Sequence, residues 1–482
     1  VFQLTSPNGV VNRDQNPAAL REPGSILLLS CYELGHPPLG IASPMAFLQR
    51  AGYAPEAVDI SVQELDPETV RPARFVGISV PMHTALRLGV LAAEWIRALN
   101  PRCHICFYGL YATLNSEYLL DHWADTVIGG EWEGPLLALV QSLDAGRSGI
   151  VAGVGRKGLP ARPALQRLAF PVPNRSRLPR LERYAQLEVE GARRLAAAVE
   201  ASRGCLHLCR HCPIPPVYGG RLFVVPKEIV LGDIRRLVAD GASHITFSDP
   251  DFLNGPRHSL AIVRAMHAEF PATTFDFTAK IEHILEHRRM FPELRELGCL
   301  FVISAAESLS DTVLAHLDKG HTGADIREAL GIVRGADIAF RPTWLPFTPW
   351  TTGDDYLEIL GFVAREGLIE HVDPVQYALR LLVPPGSLLL RQPAIQPYLG
   401  PLDQAAFGYG WAHPDPRMDQ LHQAVSPLVE EAAQAGEEDT ITFQRVQALA
   451  CANLDRPWPA PPALPTFSGR GRPPRLTEPW FC

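Results

Sequence analysis

Twice along this chain, short apolar runs alternate with longer amphipathic segments, and that alternation restricts the fold more than any other feature. In the first stretch, residues 25–30, 57–62, 74–80, 103–109 and 125–130 read as strands, and residues 42–51, 84–100 and 135–143 read as helices. Strands separated by helices pair in parallel, with helices covering both faces of the sheet. In the second stretch, the expected strands are 196–202, 244–248, 273–278, 300–305, 338–344 and 375–382, with helices over 226–240, 257–269, 281–297, 324–334 and 354–366.

Five strands suit a doubly wound, flavodoxin-like domain over residues 1–145, with ligands at the carboxyl ends of its strands. Six βα units predict a partial (β/α)6 TIM-like barrel over 196–391, its chemistry on the loops that follow the strands. Between them, residues 146–195 are rich in Gly, Pro and Arg and read as a surface linker. Gly153, Gly155 and Gly158 spell GxGxxG there, but Pro160 and Pro163 stand where a helix would have to begin, so a turn is expected. Residues 392–482 hold helices over 418–435 and 442–452, followed by a stiff Pro-rich tail.

A chain of 482 residues with 46 % apolar and 20 % charged residues is a globular protein of two or three domains. Its net charge of −8 and the lack of a dense basic run argue against nucleic acid as a partner. No apolar run approaches the roughly 20 residues of a membrane span, and no leader pattern opens the sequence, so a cytoplasmic protein without a membrane partner is expected. Nine cysteines are too few, and odd in number, for a disulfide scaffold.

Three of those cysteines, Cys205, Cys209 and Cys212, crowd into eight residues after the first barrel strand. Thiolates at this spacing wrap three corners of an iron–sulfur cube and leave the fourth iron open to a ligand. A zinc ion held by the same cysteines with His207 or His211 is the alternative. Cys103 and Cys106 also spell CxxC, but within a strand positions three apart point to opposite faces, so these read as core thiols.

The segment Cys205-Leu206-His207-Leu208-Cys209-Arg210-His211-Cys212 resembles the radical SAM superfamily, with His211 in place of the aromatic residue usual before the last Cys. That resemblance implies a [4Fe-4S] cluster on the three cysteines that reductively cleaves S-adenosylmethionine (SAM) to a 5′-deoxyadenosyl radical. Ser248, Asp249 and Asp251 after the second strand resemble the segment whose backbone holds the SAM amino group. Ser304 and Glu307 after the fourth resemble the ribose-binding segment, and Lys280 and Arg341 at other strand ends would meet the carboxylate.

A doubly wound domain ahead of such a barrel resembles the subfamily that binds cobalamin there. The loops implied are those with His36, Pro38 and Leu39, with Ser79, Met82 and His83, with Gly109, Tyr111 and Ala112, and with Gly130 and Glu131. The DxHxxG ligand motif is absent, because Leu34 and Leu39 stand at its outer positions around His36. Methyl transfer to an unactivated carbon or phosphorus centre through methylcobalamin is the implied activity, with rearrangement or cyclisation as the alternative. A small-molecule or peptide substrate and a reductant such as flavodoxin or ferredoxin are the implied partners. Pro213 to Arg221 and the ending Thr477-Glu478-Pro479-Trp480-Phe481-Cys482 resemble the proteins with a CUAEP/CCAEP tail.

Overall fold

The computed structural model describes residues 19–147, 149–457 and 472–478. Five parallel strands, β1 (Ile26–Ser30), β2 (Glu56–Asp59), β3 (Phe75–Ser79), β4 (His104–Tyr108) and β5 (Thr126–Ile128), form the first sheet. A two-residue strand, β6 (Val154–Gly155), joins the edge antiparallel to β5. The order β2-β1-β3-β4-β5-β6 is that of a doubly wound fold. Helices Leu39–Arg50, His83–Leu99 and Glu133–Asp144 lie where amphipathic segments were expected, and apolar cores fill both faces of the sheet.

The GxGxxG stretch holds no helix. Gly153 and Gly158 take φ of +82° and +77°, and Gly155 lies in β6. The chain then packs Ala164 onto the loop after β5, where Glu131 N–H donates to the Ala164 carbonyl at 2.6 Å.

The second sheet begins at β7 (Gln186–Val189), joined to β8 (Ala192–Val199) by Glu190 and Gly191, both at positive φ. Two consecutive positive-φ residues make the tight hairpin that suits strand twist. A small antiparallel hairpin follows, β9 (Ser202–Gly204) with β10 (Leu222–Val224). Strands β11 (His244–Phe247), β12 (Thr274–Thr278), β13 (Cys299–Glu307) and β14 (Ala339–Trp344) then pair in parallel with β8 to make a half barrel.

Two expectations are corrected. The sixth barrel strand, over 375–382, is replaced by a 3-10 turn at Pro374–Ala378. Gln376 Oε1 accepts the Trp344 N–H at 3.0 Å, so a side chain satisfies the donor that a sixth strand would have paired, and only the Phe347–Arg380 bridge continues the ladder. The single helix over 281–297 breaks into Ile281–Glu286 and Phe291–Glu296, with Pro292 opening the second, where a missing N–H costs nothing.

The C-terminal part adds a hairpin, β15 (Leu399–Asp403) with β16 (Gly408–Trp411), and helices Pro416–Ala435 and Asp439–Asn453 that pack on the barrel core. The tail is more than an extended arm. β17 (Arg475–Leu476) pairs antiparallel with β7, Leu476 joins the apolar lining of the barrel, and Glu478 accepts a hydrogen bond from Tyr32 at 3.0 Å. Residues 479–482, including Cys482, lie outside the described residues.

Candidate active site

The cysteine loop hangs between β9 and β10. At its entrance, Ala201 N–H (2.9 Å) and the Ser202 hydroxyl (2.5 Å) both donate to the buried Asp249 carboxylate, which fixes the end of the first barrel strand to the loop after the second. Gly204 has φ of +74°, and a Cβ there would collide with the Arg221 carbonyl, so only glycine allows the chain to turn into the loop. Farther along, Arg210 N–H donates to the Leu317 carbonyl at 2.9 Å, and Cys212 N–H closes a turn on the Cys209 carbonyl at 3.2 Å.

Cys205 and Cys209 are buried, and Cys212 is half-buried by surface. Burial pushes the Cys205 thiol up and the Cys212 thiol up to about 12, so a cationic core would have to draw off their protons. Asn254 Nδ2 lies 3.4 Å from Cys205 Sγ, and the buried Lys319 ammonium faces Cys209 and Cys212, where it offsets thiolate charge. The three sulfurs do not converge on one point: among the described residues, the group whose ligand atoms lie within 4.8 Å of one another is His207, Asp251 and His283. A tetrahedral zinc with bonds of about 2.3 Å needs its sulfurs closer than that. A cube whose corners are separate irons sets its thiolates farther apart than a single ion does.

Glu307 is held at φ of +62° beside the loop. Lys319 Nζ at 3.1 Å and His211 Nε2 at 3.2 Å flank its carboxylate and, against the opposing effect of burial, hold it well below the usual carboxylate range. His211 therefore links the cysteine loop to the end of β13. Ser304 donates to the Ala279 carbonyl at 2.7 Å, and Ser248 to the Val199 carbonyl at 3.0 Å, so both hydroxyls fasten strand ends. Lys280 pairs with Glu282 at 3.2 Å. Arg341 pairs with Asp373 at 3.2 Å and leaves its buried Nη1 without a hydrogen-bond partner.

The strand-end loops of the first sheet meet this assembly. Arg203, two residues before Cys205, is buried against Glu133 (2.7 and 2.8 Å), Glu200 (2.6 Å) and Glu131 (3.4 Å), with its guanidinium over the Trp132 and Phe170 rings. Glu131 also accepts from Tyr218 at 3.0 Å, and burial raises its carboxyl to about 7. At the end of β1, His36 is buried with Nδ1 unpartnered. Glu33 accepts from the Gly40 N–H at 3.1 Å and caps the helix that follows Pro38 and Leu39. Ser79 packs beneath Gly40, Gly109 turns at φ of +108° against the Val80 carbonyl, and Gly130 lies against Ala164. The room these glycines leave is taken by neighbouring protein atoms, the Ser79 and Glu33 side chains at Gly40 and backbone at Gly109 and Gly130, not left open. Met82 precedes the helix that His83 begins, His83 Nε2 lies 2.8 Å from the Ala406 carbonyl, and Tyr111 and Ala112 are buried.

Arg203, Asn254, His283 and Lys319 escaped the sequence reading. One signal was present: the chain has four lysines, and two of them, Lys280 and Lys319, are buried beside the cysteine loop, where lysine almost never lies without a partner. Trp344 and Tyr377 are buried in the barrel core.

A doubly wound sheet set against a half barrel, with three closely spaced thiols on the loop after the first barrel strand, defines a class of cluster-bearing enzyme. Residues 199–347 match the model of the Radical SAM superfamily. Residues 199–347 therefore carry a radical SAM domain. It is 24 % identical over 328 residues to a hopanoid C-3 methylase of Methylococcus capsulatus, covering 64 % of this chain and 61 % of that protein. A tRNA-2-methylthio-N(6)-dimethylallyladenosine synthase of Chlorobium phaeobacteroides is 30 % identical over 171 residues, 33 % of this chain and 38 % of that one. The chain thus spans less than two thirds of the length of either relative.

Among solved structures, the cobalamin-dependent S-adenosylmethionine radical enzyme OxsB with aqua-cobalamin bound shares the fold with a TM-score of 0.67, at 16 % identity, over 84 % of this chain and 67 % of that one. The radical S-adenosylmethionine methyltransferase TsrM from Kitasatospora setae, with cobalamin and a [4Fe-4S] cluster bound, gives 0.56 at 17 % identity over 71 % of this chain and 70 % of that one. Among the described residues, no helix is long and apolar enough to cross a membrane.

Proposed function

We propose that this chain is a cobalamin-dependent radical SAM methyltransferase that methylates an unactivated carbon or phosphorus centre of a small molecule or peptide, using a flavodoxin- or ferredoxin-type reductant. The observation that carries the reading is the junction of the two sheets. Arg203, at the mouth of the cysteine loop, is gripped by Glu131 and Glu133 from the loop after β5, so the strand ends of the first sheet face the cluster loop. The cofactors named in the OxsB and TsrM structures support the same pairing.

Cys205, Cys209 and Cys212 would hold the cluster. Glu307 and Arg341 would orient SAM, with the backbone from Ser248 to Asp251, Ser304 and Lys280 around it. The loops of His36, Pro38 and Leu39, of Ser79, Met82 and His83, of Gly109, Tyr111 and Ala112, and of Gly130 and Glu131 would border the corrinoid. His36 Nδ1 and Trp132 Nε1 are buried without hydrogen-bond partners in and beside these loops. When bound, cluster and SAM supply a radical able to take a hydrogen atom from an unactivated bond, and the corrinoid supplies the methyl group. The protein's own residues bind, orient and exclude water: Lys319 and His211 keep Glu307 ionised as an acceptor, and the Arg203 clamp holds the two sheets together.

The test is anaerobic reconstitution with iron, sulfide and hydroxocobalamin, followed by SAM and dithionite. Corrinoid and iron–sulfur absorption, 5′-deoxyadenosine, S-adenosylhomocysteine and a methylated product are expected. A product isomeric with its substrate would replace methyl transfer by rearrangement, and failure to retain any corrinoid would overturn the reading.

A further inference from the structure

Beside the cysteine loop, but not using its thiols, three other side chains converge. His207 comes from the loop itself, Asp251 from the turn after β11, and His283 from the helix Ile281–Glu286. One ligand atom from each lies within 4.8 Å of the others. His207 Nε2 and His283 Nε2 are 3.2 Å apart, Asp251 Oδ2 is 2.7 Å from His283 Nδ1, and it is 4.0 Å from His207 Nε2.

Asp251 and His283 are 1 % and 8 % exposed. Despite their approach, Asp251 Oδ2 and His283 Nδ1 are buried without a hydrogen bond of acceptable direction. Neither atom takes a hydrogen bond from a third group, and a ligand shared by both would replace their 2.7 Å ion pair. The other oxygen of Asp251 is already engaged, accepting from Leu253 N–H at 3.0 Å, which fixes the carboxylate with Oδ2 turned toward the two imidazoles. On the far side of His207, Glu282 Oε2 stands 3.6 Å from Nδ1, too far for a hydrogen bond but adding negative charge beside the imidazole.

We infer that His207, Asp251 and His283 form a binding site for a divalent metal ion, separate from the cluster. Two neutral imidazoles and one carboxylate suit a borderline ion such as zinc, or iron(II), with remaining positions open to water. Such an ion would tie the cysteine loop to the loop after β11 and to the helix after β12. No charged residue other than Lys280, itself paired with Glu282, stands against it among the contacts of these three side chains.

The test uses the full chain reconstituted with its cluster, exposed to zinc and desalted, with metals counted per chain. One zinc beyond the iron of the cluster is expected, and it should be lost in both His283→Ala and Asp251→Asn while iron content and the cluster spectrum stay as in the parent. Asparagine keeps the acceptor that Leu253 needs, so D251N removes the ligand without removing the cap. With cobalt(II) in place of zinc, d–d absorption without a thiolate charge-transfer band should appear and vanish with the same substitutions. The inference is overturned if the parent binds no second metal, if the metal survives both substitutions, if cobalt shows thiolate charge transfer, or if iron is lost in step with zinc, since the residues then only support the loop. None of these outcomes depends on corrinoid binding or methyl transfer.

Discussion

Two cysteine pairs in this chain share one spacing and have opposite fates. Cys103 and Cys106 flank the start of β4, and their side chains enter different cores, Cys103 on one face of the first sheet and Cys106 on the other. Both thiols are pushed up to about 12 by burial. Cys209 and Cys212 lie instead on a turn closed by one backbone hydrogen bond, facing Lys319. In an extended strand a step of three residues reverses the side chain, whereas a turn folds it back. The supports differ as well: the strand cysteines are held by apolar packing, and the loop cysteines by ion pairs and directed hydrogen bonds.

The largest expected effect separates the two pairs directly. Cys209→Ser and Cys212→Ser should abolish both the iron–sulfur absorption and SAM cleavage, while Cys103→Ser and Cys106→Ser retain them. Equal iron loss in all four variants would break the comparison.

Next in size is the ionic support. Arg203→Ala strands Glu131, Glu133 and Glu200 in the interior, and removing one partner of a buried charge cluster costs about 3–5 kcal/mol. Chemical denaturation should read that loss, together with reduced cluster content. A cost under about 1 kcal/mol would mean that apolar packing holds the loop as it holds the strand.

A smaller effect is a pH slope. Glu131 is raised from 4.5 to about 7, so between those values the folded protein binds more protons at this site than the unfolded chain. Its contribution to stability is full below pH 4.5 and is lost as pH rises through about 7. Glu131→Gln should flatten that part of the stability profile, leaving the shares due to Asp59, raised to about 6, Asp249, raised to about 7, and Glu33 and Glu478, raised to about 8. Stability that rises over this window in the parent, or the same slope in the variant, would refute the assignment.

Smallest of all, Cys106→Ala should cost about 1–2 kcal/mol of thermal or denaturant stability through a small cavity, with iron content unchanged.

Much of this was legible before any coordinates. Period-two and period-3.6 patterns are local, so the five strands of the first sheet, most barrel strands and helices, and the turn that GxGxxG makes before Pro160 could all be read from neighbouring residues. The sixth barrel strand could not. Its residues look like a strand, yet Pro374 starts a tight turn and Gln376 reaches back to Trp344, a choice settled between partners 32 residues apart. The tail reads as an extended arm because composition is silent about pairing with β7, about 290 residues earlier.

By itself, the order of residues determined a doubly wound sheet followed by a βα half barrel, three thiols at cluster spacing and the separation of Cys103 from Cys106. Tertiary structure alone decided which charges meet. Arg203 finds Glu131 and Glu133 some 70 residues away, Lys319 finds Glu307, and His207 finds Asp251 and His283, because burial makes an unpaired charge costly and the folded backbone fixes which partners lie within reach.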